Sequence, residues 1–204
     1  ELHKKFLKRL LSRDDKLSKP NIFTLNYDLL FEHSAEQLGI IVNNGFIGFH
    51  ERSFYPSAFQ VDYHIRNKEV AKRLNRSMNL FKLHGSLSWY EDTNKPPYRI
   101  GEKQIVPKSG FIDYQSIKDG TIIYPIQTKK KHSLDLPYSE LMRQLVDALN
   151  KPNSVMIVMG YSFMDEHIND ILLNAIANPD FNLVIFSYDT PDDSKAKFLK
   201  ELAK

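Results

Sequence analysis

An α/β fold built on a doubly wound parallel sheet is the class this sequence predicts, and three observations carry it. "SVMIVMG" (154–160) and "NLVIFS" (182–187) are near-continuous apolar runs, the pattern of strands covered on both faces. Between and around them lie segments whose apolar residues recur at helical spacing. A third short apolar run, "IFTL" (22–25), leads straight into another helix-like stretch. Strand alternating with helix is the grammar of parallel strands joined by crossover helices.

The elements follow in order. Leu2, Phe6, Leu7, Leu10 and Leu11 form an apolar stripe, with Lys4, Lys5, Lys8 and Arg9 on the other faces; this predicts a helix covering the sheet. Pro20 and Asn21 punctuate before the "IFTL" strand, and "YDLLFEHSAEQLG" is a helix that Gly39 closes. Residues 40–80 carry Phe46, Phe49, Phe54, Tyr55, Phe59 and Tyr63 with little periodicity. They are expected to form an insertion whose aromatics pack, with a short polar helix around 67–77. "LFKLH" (80–84) is the next strand, and the Pro- and Gly-rich residues 91–120 are a loop-rich excursion. "TIIYPI" is a strand and "KKKHS" a basic loop. Tyr138, Leu141, Met142, Leu145, Ala148 and Leu149 mark a strongly amphipathic helix, Ile168, Ile171, Leu172, Ala175 and Ile176 another, and residues 192–202 a closing one.

Composition narrows the function classes. A chain of 204 residues suits one domain with one sizeable core. A formal net charge of +3 is too small to point to nucleic acid, and the basic stretches at 129–132 and in the first helix are explained by solvated charge. With no cysteine there is no disulfide, no Cys-ligated zinc and no thiol nucleophile, which suits a cytoplasmic protein. Asp165, His167 and Asp170 have no familiar metal-ligand spacing, so no metal is expected. No apolar run approaches the ~20 residues of a membrane helix. The chain starts in helix-like sequence without Met, and it is read as a piece lacking an N-terminal strand.

Chemistry concentrates at three strand ends, where ligands bind in open α/β sheets. "IFTLNYD" ends in Thr24, Asn26 and Asp28. Asn26 offers donor and acceptor for a carboxamide or a water, or equally an Asx turn capping the helix from 27. "LFKLHGS" ends in His84, Gly85 and Ser86, where an imidazole with a reference pKa near ~6.5 could exchange a proton at neutral pH. "MIVMGYSF" ends in Gly160, Tyr161 and Ser162, ahead of a helix that Asp165 is placed to cap. Glycine there permits close backbone approach, and a hydroxyl near a helix N-terminus suits a phosphate or ribose oxygen.

"FTLNYD", "LHGS" and "GYSFMDEHIND" together resemble the sirtuin superfamily, in particular the sirtuin-like domains of bacterial antiphage defence systems. Thr24, Asn26 and Asp28 match the family's Thr-x-Asn-x-Asp signature, His84 and Gly85 its His-Gly with the catalytic base, and Gly160 and Ser162 its Gly-x-Ser corner. The resemblance implies a Rossmann-like NAD+ site at which the nicotinamide–ribose bond is cleaved. His84, Asn26 and Asp28 would be catalytic, while Thr24, Gly85, Gly160, Tyr161, Ser162 and Asp189 would bind the dinucleotide. Two departures matter. Deacylating sirtuins carry a module closed by four zinc-bound cysteines, absent here, which favours water as the acceptor. Their N-terminal strand and glycine-rich phosphate loop also have no counterpart in these residues. The expected activity is thus NAD+ hydrolysis to nicotinamide and ADP-ribose, in a homo-oligomer or with a sensor domain or subunit. The alternatives are an NAD-dependent deacylase, an ADP-ribosyltransferase, or a non-catalytic module holding NAD or ADP-ribose.

Overall fold

The computed structural model describes residues 1–14, 16–66, 71–73, 76–92, 94, 97–103, 105, 120–122, 136–186 and 193–202, with backbone alone at 65–66, 71–73, 120–122 and 193–196. The architecture is mixed α/β with parallel strands and covering helices. The chain divides into two compact units, Glu1–Met142 and Arg143–Lys204.

The first unit begins with α1 (Leu2–Leu10), β1 (Asn21–Thr24), α2 (Leu30–Gln37) and β2 (Ile41–Asn43). A later strand, β7 (Ser77–Lys82), inserts between β1 and β2 and runs parallel to both. Every residue of β7 is buried, as a central strand requires. One face carries Ile22, Met78 and Leu80 against Leu7 of α1 and Ala35 of α2. Burying a side chain the size of Leu7 contributes roughly 1.5–3 kcal/mol, and Phe6 and Leu10 of α1 pack partly buried against the same cluster. The opposite face is covered by aromatic rings. Phe81 stacks on Phe23 at 4.5 Å and on Phe59 at 4.1 Å between ring centroids. Phe59 belongs to a 3₁₀ turn, Pro56–Gln60.

The intervening segments build an antiparallel sheet that the strand–helix alternation does not foreshadow. Strands β3 (Phe46–Ile47), β4 (Arg52–Phe54), β8 (Gly85–Glu91), β9 (Ile100–Glu102) and β10 (Gly120–Ile122) are ordered β10-β8-β9-β4-β3. Its core is Trp89, with Phe46 and Phe54 at 5.3 and 6.2 Å. Phe46, Phe54 and Phe59 therefore pack as expected, whereas Phe49, Tyr55 and Tyr63 are exposed. Of the helix expected around 67–77, the described residues 71–73 and 77 are strand and not helix. Strands β5 (His64–Arg66) and β6 (Ala71–Arg73) pair antiparallel instead, and β7 already begins at Ser77. Pairing partners outweigh the weak helical preference of a polar stretch that has no apolar stripe to bury.

The second unit contains most of α3 (Tyr138–Leu149), then β11 (Ser154–Met159), α4 (Glu166–Ile176), β12 (Phe181–Phe186) and α5 (Asp193–Leu202). The two strands pair in parallel, Ser154 opposite Phe181 through Met159 opposite Phe186. α4 packs on β12 and on α5, burying Ile168, Leu172 and Ala175. The expectation that both strand faces are covered needs correction. Val155, Ile157 and Met159 on β11, with Val184 and Phe186 on β12, lie on one exposed face. An apolar run cannot itself report whether a second layer is present, because it satisfies either environment at the strand's buried positions. The "TIIYPI" strand is described only as far as Ile122, and the "KKKHS" loop lies outside the described residues.

Candidate functional site

The parallel pairing of β1 with β7 sets Thr24 opposite Lys82. Both strands thus end level, and two residues beyond each lie Asn26 and His84. Backbone bonds carry the match past the strands: the amide of Leu83 donates to the Thr24 carbonyl and that of Leu87 to the Tyr27 carbonyl, both at 3.0 Å. The Asn26–Asp28 loop and the Leu83–His84 turn are consequently fastened side by side at the carboxyl edge of the sheet, where open α/β sheets place ligands.

Each side chain has its own local cause. Thr24 is buried, and its hydroxyl oxygen accepts from the Asn26 amide at 3.1 Å, turning the chain out of β1. Asn26 itself is exposed. Asp28 Oδ1 accepts from the Leu30 amide at 3.0 Å, so the carboxylate rather than Asn26 ties down the start of α2. His84 is half-buried in the turn between β7 and β8. Gly85 follows with φ +93°, a conformation open to glycine and strained for other residues. This turn lifts the chain out of the parallel sheet and into the antiparallel one, with His84 at the junction.

Two residues that the sequence reading passed over lie directly beneath this loop. Lys82 is buried, with its side chain only 3% exposed. Its ammonium donates to the Asp28 carbonyl, lies 3.5 Å from the Asn26 carbonyl, and pairs with Glu32 Oε1 at 3.2 Å. Burial pushes the Glu32 carboxyl above its ordinary value of 4.5; Lys82 opposes that shift and the charge of Glu102 adds to it. Glu32 Oε2 is buried with no hydrogen-bond partner among the described residues. Glu102 is itself held by Asn44 (2.7 Å to Oε1), by Ser88 (3.4 Å) and by the Arg52 guanidinium. The signal for Lys82 was present in the sequence: a lysine inside the apolar "LFKLH" needs a buried counter-charge.

A second corner stands at the end of β11. Gly160 has φ +65°, and the space a β-carbon would occupy there has no atom within 4 Å. Ser162 is exposed beside it. The Tyr161 hydroxyl lies 3.0 Å from the Asp165 carbonyl and 2.9 Å from Asn169 Oδ1. Burial, then the Asp165 charge, raises its pKa far above that of a free phenol, so it remains a donor. Asn169 Nδ2 in turn donates to the Phe163 carbonyl at 2.8 Å. Phe163 has φ +57° and is buried, its ring stacked on Phe198 at 4.5 Å. Asp165 caps α4 as expected, accepting from the amides of His167 at 3.1 Å and Ile168 at 3.4 Å. Those two amides are therefore engaged within the corner. Asp189 lies outside the described residues.

Compared with known families, residues 20–203 match the model of the SIR2-like domain. The chain belongs to the SIR2-like domain family. The match begins at β1, leaving α1 outside it. SIR2-like domains bind NAD+, and the family includes NAD-dependent enzymes. No curated protein gives a match. Among the described residues of this SIR2-like chain no three His, Asp or Glu side chains are grouped to hold a metal, and no helix is long and apolar enough to cross a membrane. At the corner of Asn26, Asp28, His84 and Gly85 an exposed amide, a half-buried imidazole and a glycine of positive φ share one sheet edge.

Proposed function

We propose that this SIR2-like domain is an NAD+ glycohydrolase, cleaving the nicotinamide–ribose bond to give nicotinamide and ADP-ribose. The observation that supports it most is the level ending of β1 and β7, which brings the Asn26 loop and the His84 turn together. In this reading Asn26 and Asp28 orient the nicotinamide end of the substrate and an attacking water. As the C1′–N bond breaks, its electron pair passes to the pyridinium nitrogen, and nicotinamide departs neutral. The water oxygen bonds to C1′, and His84 accepts the proton it releases. Thr24 and Gly85 shape the loop around the dinucleotide. Gly160, Tyr161 and Ser162 are assigned phosphate or ribose oxygens, and Asp189 a ribose hydroxyl.

Water as the acceptor is favoured by the missing cysteines, which remove the zinc module of the deacylases. The wider role we propose is that of a cytoplasmic effector in a bacterial antiphage system, where a partner domain or subunit, or self-assembly, releases an activity that depletes NAD+. The test is to incubate the full protein with NAD+ and follow both products. Equimolar nicotinamide and ADP-ribose, lost in His84→Ala, is the expected outcome. Bound but intact NAD+ identifies a binding module instead, a requirement for an acetylated peptide a deacylase, and ADP-ribose retained on protein a transferase.

A further inference from the structure

Lys82 stands out because its burial has no evident reward in stability. An ion pair withdrawn from water is commonly no better than an apolar pair of the same volume. Here the pair also leaves Glu32 Oε2 buried and unpartnered among the described residues. The ammonium nonetheless does something no apolar side chain can do. It reaches the backbone carbonyls on either side of Tyr27, donating to Asp28 and lying 3.5 Å from Asn26. Those are the two residues whose side chains the proposed reaction uses. The clamp adds to bonds at the ends and middle of the loop: the amides of Asn26 and Leu30 are bonded to Thr24 and Asp28, and the Tyr27 carbonyl to Leu87.

We propose that Lys82 is a positioning residue, a buried cationic clamp that holds the carbonyls of Asn26 and Asp28 and so fixes the loop presenting them, with Glu32 as its fixed counter-charge. The mechanical part rests on the contacts alone; its catalytic consequence rests on the glycohydrolase reading. A catalytic group must be held to within a fraction of an ångström to be effective. Loss of the clamp therefore lowers turnover more than substrate affinity.

The decisive variant is Lys82→Met combined with Glu32→Leu, which removes both charges together and leaves an apolar pair that folds. Lys82→Arg is its companion, since a guanidinium also donates to two carbonyls. In the full protein without NAD+, amide exchange at residues 26–30 should rise ~10-fold or more in the double variant, and stay near wild type in Lys82→Arg. With NAD+, the double variant should lose ~10–100-fold in kcat with KM changed less than ~3-fold, and Lys82→Arg should regain most of it. Unchanged exchange in a folded double variant overturns the clamp. Raised exchange with unchanged kcat overturns its catalytic consequence. A wild-type protein that releases no nicotinamide sinks the glycohydrolase reading, and the exchange measurement still decides the clamp.

Discussion

The backbone amide of Leu87 donates to the carbonyl of Tyr27 at 3.0 Å. This bond joins a loop that leaves a parallel strand to the beginning of an antiparallel one, β8. The pairing of β1 with β7 sets the two strand ends side by side, and this strap fastens the Asn26 loop to the segment that follows His84. Catalysis in the proposed reaction then depends on the two side chains separately and on the strap only through them.

Removing the imidazole tests the first dependence. His84→Ala should lower NAD+ cleavage by ~10²–10⁴-fold, the usual worth of a positioned general base. Circular dichroism should be unchanged, because the side chain is only half-buried. Retention of more than a tenth of the activity would remove His84 from the mechanism.

Asp28 separates charge from hydrogen bonding. Its Oδ1 accepts from the Leu30 amide, and an Asn at this position keeps that acceptor. Asp28→Asn should leave the thermal midpoint near wild type while lowering kcat, whereas Asp28→Ala should also cost about 1 kcal/mol in unfolding free energy. Equal activity in wild type and Asp28→Asn would show that only the hydrogen bond matters.

Glycine positions should divide by what surrounds them. At Gly160 the positive φ alone opposes a β-carbon, so Gly160→Ala should cost about 1–2 kcal/mol. At Gly45, φ is +85° and the new carbon would come within 2.7 Å of the Phe54 ring and 2.8 Å of Phe59. Overpacking adds about 1–3 kcal/mol there, and urea titration should rank Gly45→Ala clearly below Gly160→Ala. The reverse order would mean that the aromatic core yields freely.

Glu32 gives stability a pH signature. Its folded-state pKa is raised above 4.5 by burial, so the folded protein holds that proton more tightly than the unfolded chain. The resulting stabilisation is complete below pH 4.5 and is lost as the pH rises through the raised value. Compared with Glu32→Gln, which does not titrate, the wild type should become progressively less stable as pH climbs above 4.5. A difference between the two proteins that stays constant with pH would show that no such shift exists.

Much of this arrangement was legible in the residues. The stripe from Tyr138 to Leu149 and the cap at Asp165 follow from spacing and from residue type, which act locally. The strand ends were legible for the same reason, since turn chemistry punctuates them. What escaped depends on partners that residue type does not announce. Residues 71–73 read as helix because nothing in the polar sequence marks them, or His64–Arg66 nearby, as paired strands. "SVMIVMG" read as doubly covered because its apolar residues suit a covered or an open face alike, and Val155, Ile157 and Met159 lie open. Lys82 was legible as a cation in an apolar strand, but its counter-charge was not, because Glu32 lies 50 residues away in the sequence.

The single tryptophan, Trp89, is 2% exposed among phenylalanine rings in the Glu1–Met142 unit. Its fluorescence should therefore emit at short wavelength in the native protein and shift to the red only when that unit opens. The Arg143–Lys204 unit has no indole and is silent at this excitation. Emission and far-ultraviolet ellipticity followed through one denaturant series would thus reveal whether the two units melt as one body or in sequence.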